Sequence, residues 1–166
     1  MSERIHFNDD TTKHGVEGWY VETALRYVVY VAPTNSWYDW VRDFLCPRRQ
    51  WRRLGAWLDA YMLRTFVGKP VVLIGLSMGG AVALYASSMN HRTAEVYTFG
   101  SPKPGRIDVS SVQITEYCWR GDIVPLLPIF ARPCSDLIRI GGWKLFWKAH
   151  ASYGKMLRQT ISSLGA

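Results

Sequence analysis

The sequence predicts an α/β fold in which a mainly parallel central sheet carries helices on both of its faces. Three observations lead to this prediction. Short runs of β-branched and aromatic residues alternate with segments whose apolar residues recur at helical spacing. Residues 71–74 are apolar at every position, which is typical of a strand buried on both faces of a parallel sheet. Turn residues such as Gly68 and Pro70 separate the segments.

The first elements lie before residue 67. Residues 18–31 predict a hairpin or a strand pair, because their second half is rich in β-branched and aromatic side chains. Residues 37–44 predict a short helix whose apolar side chains form a single stripe. Pro47 ends that helix, and residues 48–66 predict a longer one with one apolar face.

The rest of the chain continues the alternation of strands and helices. Each predicted strand is followed by glycine or by another turn residue, as expected where a strand leaves the sheet. The predicted strands cover residues 71–74, 94–99, 112–119 and 136–140. Helices are predicted over residues 79–89 and from residue 150 onward. Strands that alternate with helices in this way favour a parallel sheet.

Length and composition fit a single domain over residues 1–166. The chain is 48% hydrophobic, which excludes disordered and collagen-like classes because so much apolar surface can offset the ordering entropy. Three cysteines without a CxxC pair argue against a disulfide scaffold and against a zinc ribbon. No Cys/His cluster has metal-ligand spacing. We therefore expect neither a metal nor a cofactor.

Charge and aromatic content point to the kind of partner. The formal net charge is +7 and the chain has eight tryptophans, which favours an anionic partner or a lipid-like surface. Nucleic acid is an unlikely partner, because no binding motif accompanies the charge. The first fifteen residues are polar and charged, unlike a signal peptide, and no apolar run is long enough to span a bilayer. These features predict a cytoplasmic protein.

The most informative motif is the sequence GLSMGG at residues 75–80, between a predicted buried strand and a helix rich in small residues. This is a G-x-S-x-G pattern in the strand-turn-helix context that gives the pattern its meaning. A serine at the apex of so tight a turn has a strained backbone, and larger neighbours would collide with the strand and helix. The helix N-terminus would supply N–H groups to a developing oxyanion. A chance serine in a plain turn is the alternative.

A nucleophilic serine needs a base, and the base needs an orienting carboxylate. Two histidines follow Ser77, and His91 would lie at the far end of the helix that begins at the motif. His150 follows the last predicted strand and is therefore the candidate base. Asp122 follows a strand end on the same sheet edge as Ser77 and is the favoured acid, with Asp108 as the runner-up.

Five segments, in the same order along the chain, resemble the fungal-type class 3 lipases. They are TNSWYDW at 34–40, GLSMGGA at 75–81, YTFGSP at 97–102, GDIVPLLP at 121–128 and HASY at 150–153. Each segment alone is a weak signal. The five together span most of the chain, and their order is specific to the family although not to a substrate. The chain resembles a short version of the family.

The resemblance implies an α/β-hydrolase fold and hydrolysis of carboxylic esters. The catalytic triad that it implies consists of Ser77, Asp122 and His150. It also implies an oxyanion hole formed by the backbone N–H of Met78 and by Thr34. The chain departs from the family pattern at Pro33, where the family usually has glycine, and proline has no N–H to donate.

The helix predicted at 37–44 occupies the position at which the resemblance places a lid. Its candidate lid or interface residues are Trp37, Trp40 and Phe44. A surface helix packed on the core is the more usual meaning of such a stripe. A basic cluster follows it and is a candidate contact for an anionic surface, with a solvated helix face as the usual alternative. The cluster consists of Arg48, Arg49, Arg52 and Arg53.

These features together predict a serine hydrolase of the lipase or esterase type, acting on a small-molecule or lipid ester through an acyl-enzyme intermediate. The short chain leaves little room for a deep acyl tunnel, so we expect short-chain or bulky esters to be preferred. The same triad could instead serve a phospholipase, thioesterase, lactonase or acyltransferase. A different class of protein, a non-catalytic basic binding or inhibitor protein on the hydrolase fold, is the remaining alternative.

Overall fold

A computed structural model of the chain describes residues 2–8, 15–32, 47–89, 92–129 and 131–165. Within these residues seven strands form one sheet, and their order in the sheet is their order in the chain. The strands are β1 (Ser2–Asn8), β2 (Gly15–Glu22), β3 (Tyr27–Val31), β4 (Val71–Leu76), β5 (Thr93–Phe99), β6 (Gln113–Trp119) and β7 (Leu137–Ile140). The α-helices are α1 (Pro47–Thr65), α2 (Met78–Ser87), α3 (Phe146–His150) and α4 (Gly154–Ser163). Short 3-10 turns occupy Val124–Leu126 and Ala151–Tyr153.

The sheet is mainly parallel, as predicted. Strands β3 to β7 run parallel to one another, whereas β1, β2 and β3 pair antiparallel. The predicted strand pair is β2 and β3, which are in register from Gly18 opposite Val31 to Glu22 opposite Tyr27. Strand β1 was not predicted. Its sequence, SERIHFN, has no long apolar run, so its pairing with β2 is a tertiary contact that local sequence does not reveal.

Helices cover both faces of the sheet, which confirms the predicted layers. Val29 and Leu73 point to one face, where they form a core with the buried sides of α1 and α2. Their neighbours Val28 and Ile74 point to the opposite face, where apolar side chains of α4 pack on them. The alternation follows from the two-residue repeat of a strand. Buried apolar runs such as β4 are therefore needed to fill two cores at once.

The C-terminal region differs from the prediction. The predicted terminal helix from residue 150 begins earlier, as α3 at Phe146, passes through a 3-10 turn and continues as α4. No side chain caps the start of α3, so the sequence carries no signal for it. His150 therefore ends one helix instead of beginning another. The helix predicted over 37–44 lies outside the described residues.

Two properties of the described part of the chain bear on membranes and metals. No helix within it combines the length and the apolar character needed to cross a membrane. No group of three or more histidine, cysteine or acidic side chains within it could hold a metal ion.

The packing of α1 on α2 depends on a close approach at Gly55. A Cβ atom added to Gly55 would lie 2.6 Å from the Cβ atom of Tyr85 and 3.0 Å from the backbone nitrogen of Ala86. Both of these atoms belong to the last turn of α2, where they cannot move without moving the helix. The two helices are therefore packed backbone to backbone at this point.

We expect Gly55→Ala to lower the free energy of unfolding by about 1–3 kcal/mol, because overpacking at this contact outweighs the better helix propensity of alanine. Urea denaturation followed by circular dichroism measures the change.

Gly154→Ala is the matched control. A Cβ there would meet only the tip of Arg158, at 3.8 Å, so the free energy of unfolding should stay the same or rise by up to about 1 kcal/mol. Equal destabilisation by both substitutions would contradict the proposed close packing.

Candidate active site

Ser77 lies in the turn between β4 and α2, in a strained conformation. It has φ 53° and ψ −127°, and it is the only non-glycine residue with a positive φ among those the structure describes. The backbone N–H of Ser77 donates to the carbonyl oxygen of Phe99 at 2.9 Å, and Gly80 N–H donates to the Ser77 carbonyl at 2.9 Å. Such a conformation costs on the order of 1–3 kcal/mol and persists because these bonds hold the turn.

The glycines on either side of Ser77 are required by close backbone contacts. A Cβ at Gly75 would lie 2.4 Å from the Cα atom of Gly80, and a Cβ at Gly79 would lie 2.3 Å from the carbonyl oxygen of Val31. Real side chains do not fit at these distances. Side chains at these two positions would therefore collide with the backbone, as the sequence predicted. The two glycines avoid this collision and allow the turn to be so sharp.

His150 reaches Ser77 from the end of α3. The His150 Nε2 atom lies 2.9 Å from the Ser77 Oγ atom, and the other ring nitrogen, Nδ1, lies 2.9 Å from Asp122 Oδ2. The carboxylate can only accept, so Nδ1 carries the proton and Nε2 accepts from the serine hydroxyl. The side chain of His150 is 20% exposed, whereas that of Asp122 is fully buried.

The Asp122 carboxylate follows the end of β6 and is held by two further donors. Its Oδ1 atom accepts from the backbone N–H of Val124 at 3.0 Å. Its Oδ2 atom also accepts from the Tyr153 hydroxyl at 2.6 Å, and that hydroxyl in turn accepts from the Trp119 N–H at 2.8 Å. Burial and the neighbouring carboxylate raise the pKa of Tyr153, which keeps its hydroxyl a proton donor.

Two glycines leave room for this network, and sequence reasoning did not assign them to it. Gly100, at φ +61°, follows β5, and a Cβ there would lie 2.6 Å from the Tyr153 ring and 2.9 Å from Asp122 Oδ2. Gly121, at φ +95°, precedes Asp122, and a Cβ there would meet the Lys144 carbonyl oxygen. Their only signal in the sequence was a glycine at the end of each strand, directly after β5 for Gly100 and one residue further on after β6 for Gly121.

The backbone N–H of Met78 lies at the N-terminus of α2, where the first amides of a helix have no intrahelical acceptor. Every residue of α2 is buried, so these N–H groups lie in a shielded environment next to Ser77. Thr34, the other residue predicted for an oxyanion hole, lies outside the described residues. So do the lid candidates Trp37, Trp40 and Phe44.

The remaining predicted residues lie elsewhere. Asp108, the alternative acid, is exposed and accepts hydrogen bonds from Ser110 in its own loop. His91 lies outside the described residues. The basic cluster falls at the start of α1, where Arg49, Arg52 and Arg53 are exposed and the side chain of Arg48 is outside the described part. Among the predicted residues that the structure describes, the side chains of Ser77, Asp122 and His150 are thus brought together.

Exposed apolar side chains flank the candidate site along the chain. One group directly follows Asp122 and the other directly precedes His150. The first group is Ile123, Leu126 and Ile129, and the second is Trp143, Leu145 and Trp147. Ile129 is 75% exposed and Trp143 is 76% exposed. The two loops meet, because the Lys144 N–H donates to the Arg120 carbonyl at 3.2 Å. We call these six residues the apolar rim.

The chain belongs to the alpha/beta hydrolase family, whose model matches residues 12–161. Solved lipases share its fold. The Lip2 lipase of Yarrowia lipolytica has a TM-score of 0.58 at 19% identity, over 84% of this chain and 66% of that one. A lipase from Rhizopus microsporus var. chinensis has a TM-score of 0.59 at 19% identity, over 87% and 63%. The Rhizomucor miehei lipase in its propeptide complex has a TM-score of 0.59 at 18% identity, over 84% and 57%.

The family match and the similar solved structures confirm the predicted α/β-hydrolase fold. They also confirm that the chain resembles fungal lipases. The chain spans less than two thirds of the length of each of these lipase chains. No curated protein sequence matches it.

Removing the Tyr153 hydroxyl tests how much the Asp122 network contributes to stability. We expect Tyr153→Phe to lower the free energy of unfolding by about 1.5–3 kcal/mol, because a hydrogen bond to a charged group is lost and a buried N–H is left unpaired. Urea denaturation measures the loss.

Tyr117→Phe is the control. Tyr117 stacks on Phe99 in the same core, and its hydroxyl has no hydrogen-bond partner among the described residues. Its free energy of unfolding should change by less than about 0.5 kcal/mol. A Tyr153→Phe variant as stable as this control would show that the hydroxyl does not support the carboxylate.

Proposed function

We propose that the protein is a serine hydrolase that cleaves carboxylic esters, with Ser77, His150 and Asp122 as its catalytic triad. One observation carries the proposal: a continuous chain of hydrogen bonds from the Ser77 hydroxyl through both nitrogens of His150 to a buried carboxylate. The serine stands at the N-terminus of a buried helix. Membership of the alpha/beta hydrolase family supports the same reaction class.

The geometry supports a two-step acyl transfer. As the Ser77 Oγ atom attacks the ester carbonyl carbon, His150 Nε2 takes the hydroxyl proton. The tetrahedral intermediate then expels the alcohol, which receives that proton from His150. Water next attacks the acyl-serine, with His150 as the base again, and releases the acid. Asp122 holds the Nδ1–H tautomer throughout and stabilises the positive imidazolium.

An oxyanion hole at the start of α2 fits this mechanism. The Met78 N–H would donate to the carbonyl oxygen as its negative charge develops, and the positive end of α2 would add to the stabilisation. Thr34 is the second donor that we propose, from the residues that follow β3. Loss of one such donor typically lowers kcat by about 10²–10³-fold.

An apolar ester is the substrate class that the surroundings support. The apolar rim on the two loops next to Asp122 and His150 would face a substrate that enters at this sheet edge. Exposed tryptophans and isoleucines bind acyl chains or bulky apolar alcohols by removing their surface from water. The exposed lysine Lys148 beside Trp147 would favour an ester at an anionic lipid surface.

The primary test is Ser77→Ala. We expect hydrolysis of p-nitrophenyl butyrate to fall by roughly 10⁴-fold or more, because the nucleophile is lost. Ser87→Ala, at the other end of α2, removes a hydroxyl that donates to the Leu84 carbonyl and has no other partner among the described residues, and it should keep wild-type turnover. Circular dichroism of both variants checks the fold.

A fluorophosphonate probe separates an enzyme from a binding protein on the same fold. Labelling of the wild type at Ser77, and none of Ser77→Ala, is the expected result. Substantial turnover by Ser77→Ala, or the absence of labelling in a folded wild type, would contradict the proposed triad.

A series of p-nitrophenyl esters tests the substrate. We expect kcat/KM to be higher for butyrate than for palmitate, because the side chains of the apolar rim are exposed on the surface, where a long acyl chain would stay largely in contact with water. The relation should hold below the solubility limit of each ester. A clear preference for palmitate would overturn the proposed short-chain specificity without affecting the triad.

A further inference from the structure

Three arginines from two parts of the chain line one surface pocket of about 470 Å³. Arg49 and Arg52 are one turn apart at the start of α1, and Arg106 comes from the loop between β5 and β6. The rest of the lining includes Tyr85, Met89 and Ile107. We call this the arginine pocket.

The arginine pocket is separate from the candidate active site. It lies against the last turn of α2, whereas Ser77 precedes the first turn of the same helix. Ser88, which also lines the pocket, is eleven positions after Ser77 in the chain. At 1.5 Å per residue this places the two sites about 16 Å apart along the helix. A ligand in the pocket therefore does not contact Ser77.

Within the described part of the chain, no acidic side chain compensates the charges of the arginine pocket. Among the residues that the structure describes, none of the three guanidinium groups has a carboxylate within ion-pair distance. The first turn of α1 has no acidic residue, although that end of a helix favours negative charge. Like charges one helical turn apart repel each other. A bound anion would relieve this repulsion and complement the helix dipole.

A hydrogen bond that does not involve the arginines joins α2 to the loop that carries Arg106. The Tyr85 hydroxyl of α2 donates to the carbonyl oxygen of Pro104 at 2.9 Å. Pro104 is two residues before Arg106, so this bond ties the loop to the helix end. The contact at Gly55 fixes α1 against the same Tyr85. The elements that carry the three arginines are therefore held in place before any ligand arrives.

We propose that the arginine pocket binds a phosphate monoester. Three guanidinium groups match a dianion, and their planar donor forks pair with phosphate oxygens in a bidentate manner. The side chains of Met89 and Ile107 add an apolar wall that a bare inorganic ion would not use. The ester group of a phosphate monoester would pack there. Both a soluble organic phosphate and the headgroup of a lipid such as phosphatidic acid carry this chemistry.

Isothermal titration of the full chain with phenyl phosphate tests the proposal, at constant ionic strength. We expect saturable one-to-one binding, tighter than that of inorganic phosphate. Arg52→Gln and Arg106→Gln should each weaken binding by about tenfold, because each removes charge-assisted hydrogen bonds.

The matched control is Arg53→Gln, which removes the same charge from the adjacent, exposed residue of α1. Arg53 does not line the pocket, so its loss should change the dissociation constant by less than about twofold. Thermal unfolding of the three variants checks that all are folded. Failure of the wild type to bind phenyl phosphate, or equal weakening by Arg52→Gln and Arg53→Gln, would overturn the proposal.

Vesicles of phosphatidylcholine, with and without phosphatidic acid, distinguish the two sources of the phosphate. Binding that needs phosphatidic acid, is lost in Arg52→Gln and is displaced by phenyl phosphate would identify the lipid headgroup as the ligand. Binding of phenyl phosphate without binding to these vesicles would identify a soluble phosphate monoester. The readout is binding, so it stands apart from the ester hydrolysis proposed for Ser77.

Discussion

The buried carboxylate of Asp122 is the group on which the organisation of the candidate site depends. Burial of a charge is costly unless hydrogen bonds replace the lost water, and Asp122 has three of them, from Val124, His150 and Tyr153. These donors belong to different parts of the chain. The carboxylate thus joins the end of β6, the 3-10 turn that follows it and the helical region near the C-terminus, and it orients the His150 ring.

The topology of the sheet explains why these groups meet. Strands β4, β5 and β6 are parallel neighbours, so their carboxyl ends lie at one edge. Ser77 follows β4, Gly100 follows β5 and Asp122 follows β6 with two residues between. Gly100, the middle one of these three residues, has no side chain, and the contact between Asp122 and the His150 ring occupies the space that a side chain would fill. Gly100 therefore leaves the space between β4 and β6 in which the nucleophile and the acid come within reach of one base.

Much of the fold was predictable because its signals are local. The two-faced burial of residues 71–74, the turn residues after each strand and the small residues of α2 are all readable in the sequence. The proximity of Ser77, Asp122 and His150 was predicted from their positions after the ends of strands, from their order in the chain and from the family resemblance. Strand β1, the early start of α3 and the roles of Tyr153 and Gly100 were not predicted. Strand β1, Tyr153 and Gly100 depend on contacts with other parts of the chain, which periodicity cannot reveal, and no capping residue marks the start of α3.

The residues of the basic cluster are alike in the sequence but have different surroundings in the structure. Arg49, Arg52 and Arg53 look equivalent as a charged run, yet only the first two line the arginine pocket, which they share with Arg106 from more than fifty residues away. A helix turns about 100° per residue, so adjacent arginines face different surroundings. The sequence predicted a contact of this cluster with an anionic surface, with a solvated helix face as the alternative. We propose a more specific ligand, a phosphate monoester that is either soluble or part of a lipid headgroup, because donors that converge from rigid elements select for shape as well as for charge.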